Sequence, residues 1–157
     1  MQKLSRSIYQ TARNSAGITQ EESAERLCIS VESLRAYERK ATVPPADIVL
    51  AMIELYSTPS LGYLYLKLDN PVGQQYLPNI EFRDLPSSVL VLQKEMNDVE
   101  AVKDDMIDAA CDGNIDKTEH PQWKNKIMAE ISHLAGAALS MMFIPLQKGK
   151  ATTRAVK

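Results

Sequence analysis

The sequence predicts an all-α protein, and three kinds of observation lead to that prediction. Capping signals mark helix starts in the N-terminal third, where Thr19 is followed three residues later by Glu22. Gly17 and the pair Pro44-Pro45 are helix-stopping residues that divide this third into short segments. In the second half, apolar residues recur at spacings of three and four. We therefore expect an N-terminal helix-turn-helix domain of four to five helices, followed by an antiparallel hairpin of long helices.

The first helix is predicted from Leu4 to Ala16, with Gly17 as its C-terminal stop. Its inward positions are expected to be Leu4, Ile8, Ala12 and Tyr9. After the two prolines, a further helix should begin at Pro45 or Ala46 and run to about Tyr56.

Between these two helices, Ile18–Lys40 holds two short helical patterns with almost no room between them. The first runs from about Gln20 to Leu27 after the Thr19 cap, and Ser30 caps the second. Only three residues connect them, and the small Ala24 lies where the two backbones must approach closely. This arrangement indicates a helix-turn-helix, with a helical hairpin from another kind of bundle as the alternative.

The stretch resembles the lambda-repressor or Cro-type helix-turn-helix, also called the Xre-like family. The resemblance covers about Leu4 to Tyr56, roughly a third of the chain, and rests on the residues Ala16-Gly17-Ile18-Thr19-Gln20-Glu21-Glu22, Ala24, Leu27, Ser30 and Tyr37-Glu38-Arg39. The sequence departs from the family pattern at Cys28 and Lys40, where the family often has Gly. A residue other than Gly can occupy a left-handed turn at some energetic cost.

The resemblance implies a sequence-specific, DNA-binding transcriptional regulator whose second motif helix, Val31 to Lys40, lies in the major groove of double-stranded DNA. The family's base-reading positions fall on Val31, Glu32, Arg35 and Ala36. Contacts with the DNA backbone are expected from Gln20, Ser33, Arg39 and Lys40. The core positions of the motif are expected to be Leu27, Leu34 and Tyr37.

The charge of the chain gives DNA binding limited support. The net charge is −2, and residues 1–58 contain seven Lys or Arg against seven Asp or Glu. A local basic face is still predicted from Arg6 and Arg13 on the first helix and from the cluster Arg35, Arg39 and Lys40.

A protein-interaction module, such as an antitoxin or adaptor that no longer binds DNA, is the rival hypothesis. It is favoured by the neutral first domain and by the acidic Glu32.

We divide the chain into a helix-turn-helix domain at 1–58, a packed connector at 59–86, a helical hairpin at 87–146 and a basic tail at 147–157. Prolines and glycines are frequent in the connector. A short helix is expected from Leu61 to Leu68, and Asn70–Pro86 is expected to be irregular. The large apolar residues of this segment do not suit a free linker, so we expect them to pack across the junction. The tail has four basic residues and no acid, and we expect it to be disordered.

The hairpin is predicted from one helix at Ser87–Cys111, capped by Ser87 or Ser88, and another at Pro121–Phe143. The heptad-like seam of the first helix consists of Val89, Leu92, Met96, Val99, Met106 and Ala110, with Lys103 interrupting it. The second helix carries Trp123, Ile127, Ile131, Leu134, Ala138 and Met142 on one face. This seam could be satisfied within one chain, or it could form the interface of a homodimer.

The second half is also similar, more distantly, to the C-terminal helical regions of regulators from phages and prophages of Gram-positive bacteria. The residues behind this likeness are Asn70-Pro71-Val72-Gly73, Leu77-Pro78, Gln93-Lys94-Glu95-Met96-Asn97-Asp98-Val99 and Asp112-Gly113-Asn114-Ile115-Asp116. The resemblance implies a phage-related lineage and no particular chemistry.

The sequence gives no support for calcium binding, another metal site, catalysis or a membrane span. Asp108–Glu119 matches most of a calcium-binding loop, but Ala110 stands at a ligand position, so we expect an acidic turn in which Gly113 is left-handed and Asp116 pairs with Glu119. His120 and His133 lie apart from each other and from the cysteines, and no catalytic pattern is present, so neither an enzyme, a metal site nor a cofactor is expected. The first ten residues lack an apolar core and no membrane-length apolar run occurs, so we expect a cytoplasmic protein with reduced thiols.

Overall fold

Side-chain caps mark the starts of the first three helices in a computed structural model, which describes residues 7–111 and 113–144. The hydroxyls of Ser7, Thr19 and Ser30 accept hydrogen bonds from amides three residues ahead, at 3.0–3.1 Å. All regular structure in the described residues is helical, which confirms the all-α prediction. The chain divides into two compact units, one that ends at Leu77 and one that begins at Pro78.

The first unit contains six helices in its described part. They are α1 (Ile8–Ser15), α2 (Gln20–Arg26), α3 (Val31–Glu38), α4 (Ala46–Tyr56), α5 (Ser60–Asp69) and α6 (Pro71–Tyr76). The predicted start of α1 at Leu4 is wrong, because Ser7 has extended backbone angles and acts as the N-cap of Ile8–Ser15. Leu4 and Arg6 themselves lie outside the described residues.

One apolar core holds the helices of the first unit together. Its buried members are Tyr9, Ala12, Ala24, Leu27, Leu34, Val49, Met52, Tyr56 and Leu61. Leu61 belongs to α5, so the fifth helix is part of the domain, as the prediction of four to five helices allowed. Tyr9 adds a hydrogen bond to Asp69 at 2.5 Å and thereby ties α1 to the end of α5.

The prediction that Asn70–Pro86 is irregular is wrong for its first part, which forms α6. Asn70 caps this helix, its side-chain oxygen accepting from the Val72 amide at 2.9 Å, and Pro71 occupies the first helical turn. The Asn-Pro pair is a helix-start signal that could have revealed α6 from the sequence. Gly73 lets α6 approach α5, because a Cβ there would lie 1.8 Å from the carbonyl oxygen of Leu66.

The described part of the second unit is an antiparallel helical hairpin, as predicted. Its elements are α7 (Leu85–Ala101), α8 (Lys103–Ala110), α9 (His120–Gln122), a π-helical turn (Trp123–Ile127) and α10 (Met128–Met142). Three contacts show that residue numbers rise on one arm as they fall on the other: Glu81 with Ser140, Glu95 with His133, and Asp105 with Lys126.

Two details of the predicted hairpin are wrong. The N-cap of α7 is Asp84, whose carboxylate accepts from the Ser87 amide at 2.9 Å, rather than Ser87 or Ser88. The single helix Ser87–Cys111 is broken at Val102, whose amide bonds to the carbonyl three residues back. A continuous helix would place Lys103 on the apolar seam, and the break leaves this side chain exposed and paired with Glu100 at 2.9 Å.

The acidic turn between the arms forms as expected in its described part. Gly113 has a φ of +73°, and Asp116 and Glu119 form a reciprocal capping box. Asp112 lies outside the described residues, as does the predicted basic tail 147–157. None of the helices in the described part of the chain has both the length and the apolar character that a membrane span requires.

Candidate nucleic-acid interface

Helix α3 is held in the first unit by its inward face, which leaves the opposite face open. Leu34 is fully buried and Glu38 is nearly so, one turn apart on the same side. The outward positions Glu32, Arg35 and Arg39 are exposed. Three further residues, Val31, Ser33 and Ala36, are half-buried at the edges of this face. The structure thus places the predicted base-reading residues on one accessible surface, which we call the α3 face.

The turn between α2 and α3 has the tight geometry that the spacing predicts. Cys28 is left-handed with a φ of +54°, and the Ile29 amide donates to the carbonyl of Ala24 at 3.0 Å. Lys40, after α3, is also left-handed with a φ of +58°. The two positions where the sequence departs from glycine are therefore the positions where the backbone favours glycine.

A buried ion pair fixes α3 against α1, and it overturns part of the predicted basic face. The Arg13 guanidinium donates to both oxygens of the Glu38 carboxylate, with Nε–Oε1 at 2.6 Å and Nη2–Oε2 at 3.0 Å. Its remaining nitrogen donates to the carbonyl of Ile18 at 2.8 Å. The hydrogen bonds that Arg13 donates to Glu38 raise the pKa of Arg13, although burial acts in the opposite direction. Because the guanidinium is enclosed and fully paired, Arg13 is a structural residue and adds nothing to a basic surface.

Gln20 connects this buried pair with the α3 face. Its amide nitrogen donates to Oε2 of Glu38 at 2.7 Å, and its amide oxygen accepts from Nε of Arg35 at 3.3 Å. The same side chain that was predicted to contact the DNA backbone therefore also orients an exposed arginine. From the sequence, Glu38 was only one of the residues behind the family resemblance, and its role as acceptor for Arg13 and Gln20 was not predicted.

The exposed arginines of the α3 face are already paired with acidic side chains. Arg39 contacts Oε1 of Glu32 at 2.7 Å. Arg35 lies 3.9 Å from Glu32 and 3.6 Å from Glu21, so an acid of α2 reaches the α3 face rather than lying behind it. Within the part of the chain that the structure describes, Lys40 is the cation near this face that forms no ion pair.

The N-terminus of α3 is capped by Ser30. The Ser30 hydroxyl accepts from the Ser33 amide at 3.0 Å and lies 2.8 Å from the Ser33 hydroxyl. In the same turn Glu32 is exposed, whereas Val31 and Ser33 are half-buried. The N-terminus of the second motif helix is the end that approaches base edges in helix-turn-helix proteins.

Residues 10–61 match the family model described as Helix-turn-helix, which is a third of the chain. This match supports the lambda-repressor or Cro-type resemblance, and that family of regulators binds double-stranded DNA. No curated protein and no solved structure matches the chain. The matched segment spans α1 to α4 and reaches the start of α5, and it contains all eight residues predicted to contact DNA.

Proposed function

We propose that this helix-turn-helix protein is a sequence-specific transcriptional regulator that binds its operator as a homodimer. The observation that carries the proposal is the division of α3 into a clamped inward side, with Leu34 and Glu38, and an open α3 face. A recognition helix requires this division, because its outward side chains must reach base edges while its axis stays fixed. The distant likeness of the second half favours a phage or prophage regulator.

The chemistry of the α3 face assigns each residue a contact. Val31 and Ala36 offer methyl groups that suit the thymine methyl, Glu32 can accept from a cytosine amino group, and Arg35 can donate to guanine. The backbone contacts go to Gln20, Ser33, Arg39 and Lys40, whose donors suit phosphate oxygens.

In the absence of DNA, the ion pairs of the α3 face affect the slope of log affinity against log salt concentration. Arg35 and Arg39 must leave Glu21 and Glu32 before they can neutralise phosphates. Each phosphate contact contributes to the salt dependence of binding, while the acids repel the DNA backbone. We therefore expect a shallower salt dependence than a lysine-rich interface would show.

The second unit supplies the dimer interface in this proposal. Its described part buries only Val102, Ala109 and Ile127 among its apolar side chains. Eight large apolar side chains remain exposed there, and they are Phe82, Leu85, Val89, Leu90, Met96, Ile107, Met128 and Met142. A two-helix hairpin with so small a core needs a further surface to cover its apolar stripes.

Two residues of the predicted seam, Val89 and Met96, lie on a different side of α7 from the face that packs within the chain, whereas Leu92 and Val99 are half-buried. Ser88 and Val102 are buried, whereas the seam residues Val89 and Met96 are 47% and 51% exposed. A second copy of the hairpin would cover these stripes and form a four-helix bundle. To read paired half-sites, the two α3 helices of the proposed dimer must lie about one DNA turn apart, roughly 34 Å.

Selection from a randomised duplex library with the full-length chain tests the DNA-binding proposal. We expect one enriched, two-fold symmetric sequence. Arg35→Ala should weaken its binding and relax the preference for one guanine, whereas Arg39→Ala should weaken binding to all sequences and reduce the slope of log affinity against log salt by about 1. Arg26→Ala is the matched control, because Arg26 is an exposed α2 cation that pairs with Glu22 at 3.4 Å outside the α3 face.

The protein-interaction module is the second candidate, and the ion pairs of Glu32 favour it. An acidic residue between two arginines suits a protein partner as well as DNA. Failure to enrich any duplex sequence at low salt, with a correctly folded chain, would replace the first proposal with this one.

A further inference from the structure

A cluster of three metal-ligating side chains lies across the two arms of the hairpin, far from the α3 face in sequence. Glu130 and His133 occupy one side of α10 at a spacing of three, and Glu95 comes from α7. One ligand atom from each residue lies within 4.8 Å of the other two. His133 has no histidine or cysteine near it in the sequence, and the antiparallel packing brings Glu95 to it from 38 residues away.

Two buried oxygen atoms, one in this cluster and one beside it, form no hydrogen bond. Oε2 of Glu95 is buried and accepts no hydrogen bond, and its side chain is only 12% exposed. The hydroxyl of Ser88 is likewise unpartnered, and this residue is 4% exposed. Buried polar groups without partners are uncommon in folded proteins and call for a ligand or a water.

Both unpartnered groups line one cavity together with His133. The cavity has a volume of about 270 Å³ and lies between α7, α10 and the segment around Asn79. Gly136 lets that segment approach α10, because a Cβ there would lie 2.2 Å from the carbonyl oxygen of Asn79. The space is large enough for a cation with several of its waters.

We propose that Glu95, Glu130 and His133 bind a first-row divalent transition-metal cation, such as Zn²⁺ or Mn²⁺. Two carboxylates and one imidazole form a donor set that suits these ions better than Ca²⁺ or Mg²⁺, which take oxygen ligands. Ligand atoms about 2.1 Å from a tetrahedral ion lie roughly 3.4 Å from one another. Nδ1 of His133 is 3.5 Å from Oε2 of Glu130, which already meets this separation.

Only a small movement completes the site. Nδ1 of His133 lies 4.0 Å from Oε2 of Glu95, and all three ligand atoms lie within 4.8 Å of one another, so side-chain rotations that move these atoms by about 1 Å bring them to the required separation. Lys94 contacts the other oxygen of Glu95, Oε1, at 3.2 Å. The oxygen that faces the cluster is therefore free to bind the ion, and waters in the cavity fill the remaining coordination positions.

A bound ion at this place would join α7 to α10. Because the ligands come from both arms, the ion binds the folded hairpin better than the unfolded chain and raises the melting temperature of the second unit. The proposal concerns this unit alone and does not depend on DNA binding.

Calorimetric titration of chelator-treated full-length protein with Zn²⁺ tests the proposal, together with the visible absorption of the Co²⁺ form. We expect saturable binding of one ion per chain and a Co²⁺ spectrum that reports imidazole coordination. His133→Ala and Glu95→Gln should each weaken binding by more than about tenfold, because even the loss of an outer-shell partner costs about 10- to 100-fold.

Matched controls separate this site from other acidic groups on the same unit. His120→Ala removes a histidine outside the cluster, and Glu100→Gln removes an exposed carboxylate of α7 that pairs with Lys103. Both should bind Zn²⁺ as the unmodified chain does. His133 is 63% exposed, so His133→Ala should keep its helix content and remain informative if Glu95→Gln does not fold. The proposal is overturned if the unmodified chain shows no saturable binding. It is also overturned if Glu119→Gln in the acidic turn abolishes binding while His133→Ala retains it.

Discussion

The two units of this chain are both helical, but they differ in how completely each satisfies its own side chains. In its described part the first unit encloses nine apolar residues in one core, exposes six large apolar side chains and pairs its buried arginine with a buried carboxylate. In its described part the second unit buries three apolar residues, exposes eight large ones and leaves two buried oxygen atoms without partners. The comparison indicates that the first unit forms its own core and pairs its buried charges within the chain. The second unit has a small core, and its exposed apolar side chains and unpartnered oxygens are available to a partner surface or a ligand.

The largest expected effect concerns the buried pair that completes the first unit. Glu38→Ala leaves the Arg13 guanidinium buried without its charged partner, and such losses cost about 3–5 kcal/mol of the free energy of unfolding. Chemical denaturation monitored by circular dichroism measures the change.

A double variant sharpens this prediction. Arg13→Met combined with Glu38→Leu removes both charges and fills similar volume, so it should recover most of the lost stability. If the single and double variants are equally destabilised, the cost arises from packing rather than from the unpaired charge.

The second prediction tests whether a second copy covers the exposed seam. Changing the exposed Val89 and Met96 together to Asp should convert a dimer into a monomer, because the charges would face an apolar interface. Operator binding should weaken by roughly 10²-fold or more, since two linked half-site contacts become one. Light scattering gives the mass and anisotropy gives the affinity.

Circular dichroism provides the control for the seam variant by showing that its helix content survives. The paired change Glu100→Gln with Lys103→Gln alters exposed residues near the same seam and should leave the mass unchanged. A monomeric unmodified chain at tens of micromolar that binds its operator at full affinity would refute the dimer.

Alkaline pH should affect the first unit through Tyr9. Burial raises the pKa of the Tyr9 phenol, and its hydrogen bond to Asp69 acts in the same direction. The unfolded phenol has a pKa of about 10, so the stabilising effect is complete below about pH 10 and is lost as pH rises above it. Tyr9→Phe should cost about 1 kcal/mol at neutral pH and flatten the alkaline decline. Tyr37→Phe, which changes a phenol at the edge of the same core, is the comparison, and an equally flat profile there would contradict the assignment.

The smallest expected effect is a gain in stability at the left-handed turn. Cys28→Gly should stabilise the first unit by about 1 kcal/mol, because glycine adopts a φ of +54° without the strain of a side chain. Cys28→Ala keeps the strain and should be nearly neutral. Equal thermal midpoints for the Gly and Ala variants would show that the turn is relaxed.

Features were predicted correctly from the sequence mainly where the interacting groups lie close together along the chain. The starts of α2 and α3, the left-handed Gly113 and the Asp116–Glu119 box all involve groups within four residues of each other, and these were predicted correctly. The helix α6 was missed although its Asn-Pro signal was equally local. The predicted contacts of the α3 face with DNA stay predictions, since their partner is another molecule.

The sequence by itself determined the helical character, the capped helix-turn-helix and the antiparallel order of the two long arms, because short-range hydrogen bonds and apolar periodicity suffice for these. Only the tertiary structure decided that Arg13 is buried against Glu38, 25 residues away, rather than exposed for DNA. It also decided which side of α7 faces inward, and it brought Glu95 to His133. The physical reason is that a side chain's burial and charge partners depend on helices that are remote in sequence, and helical periodicity does not encode which of two adjacent faces packs.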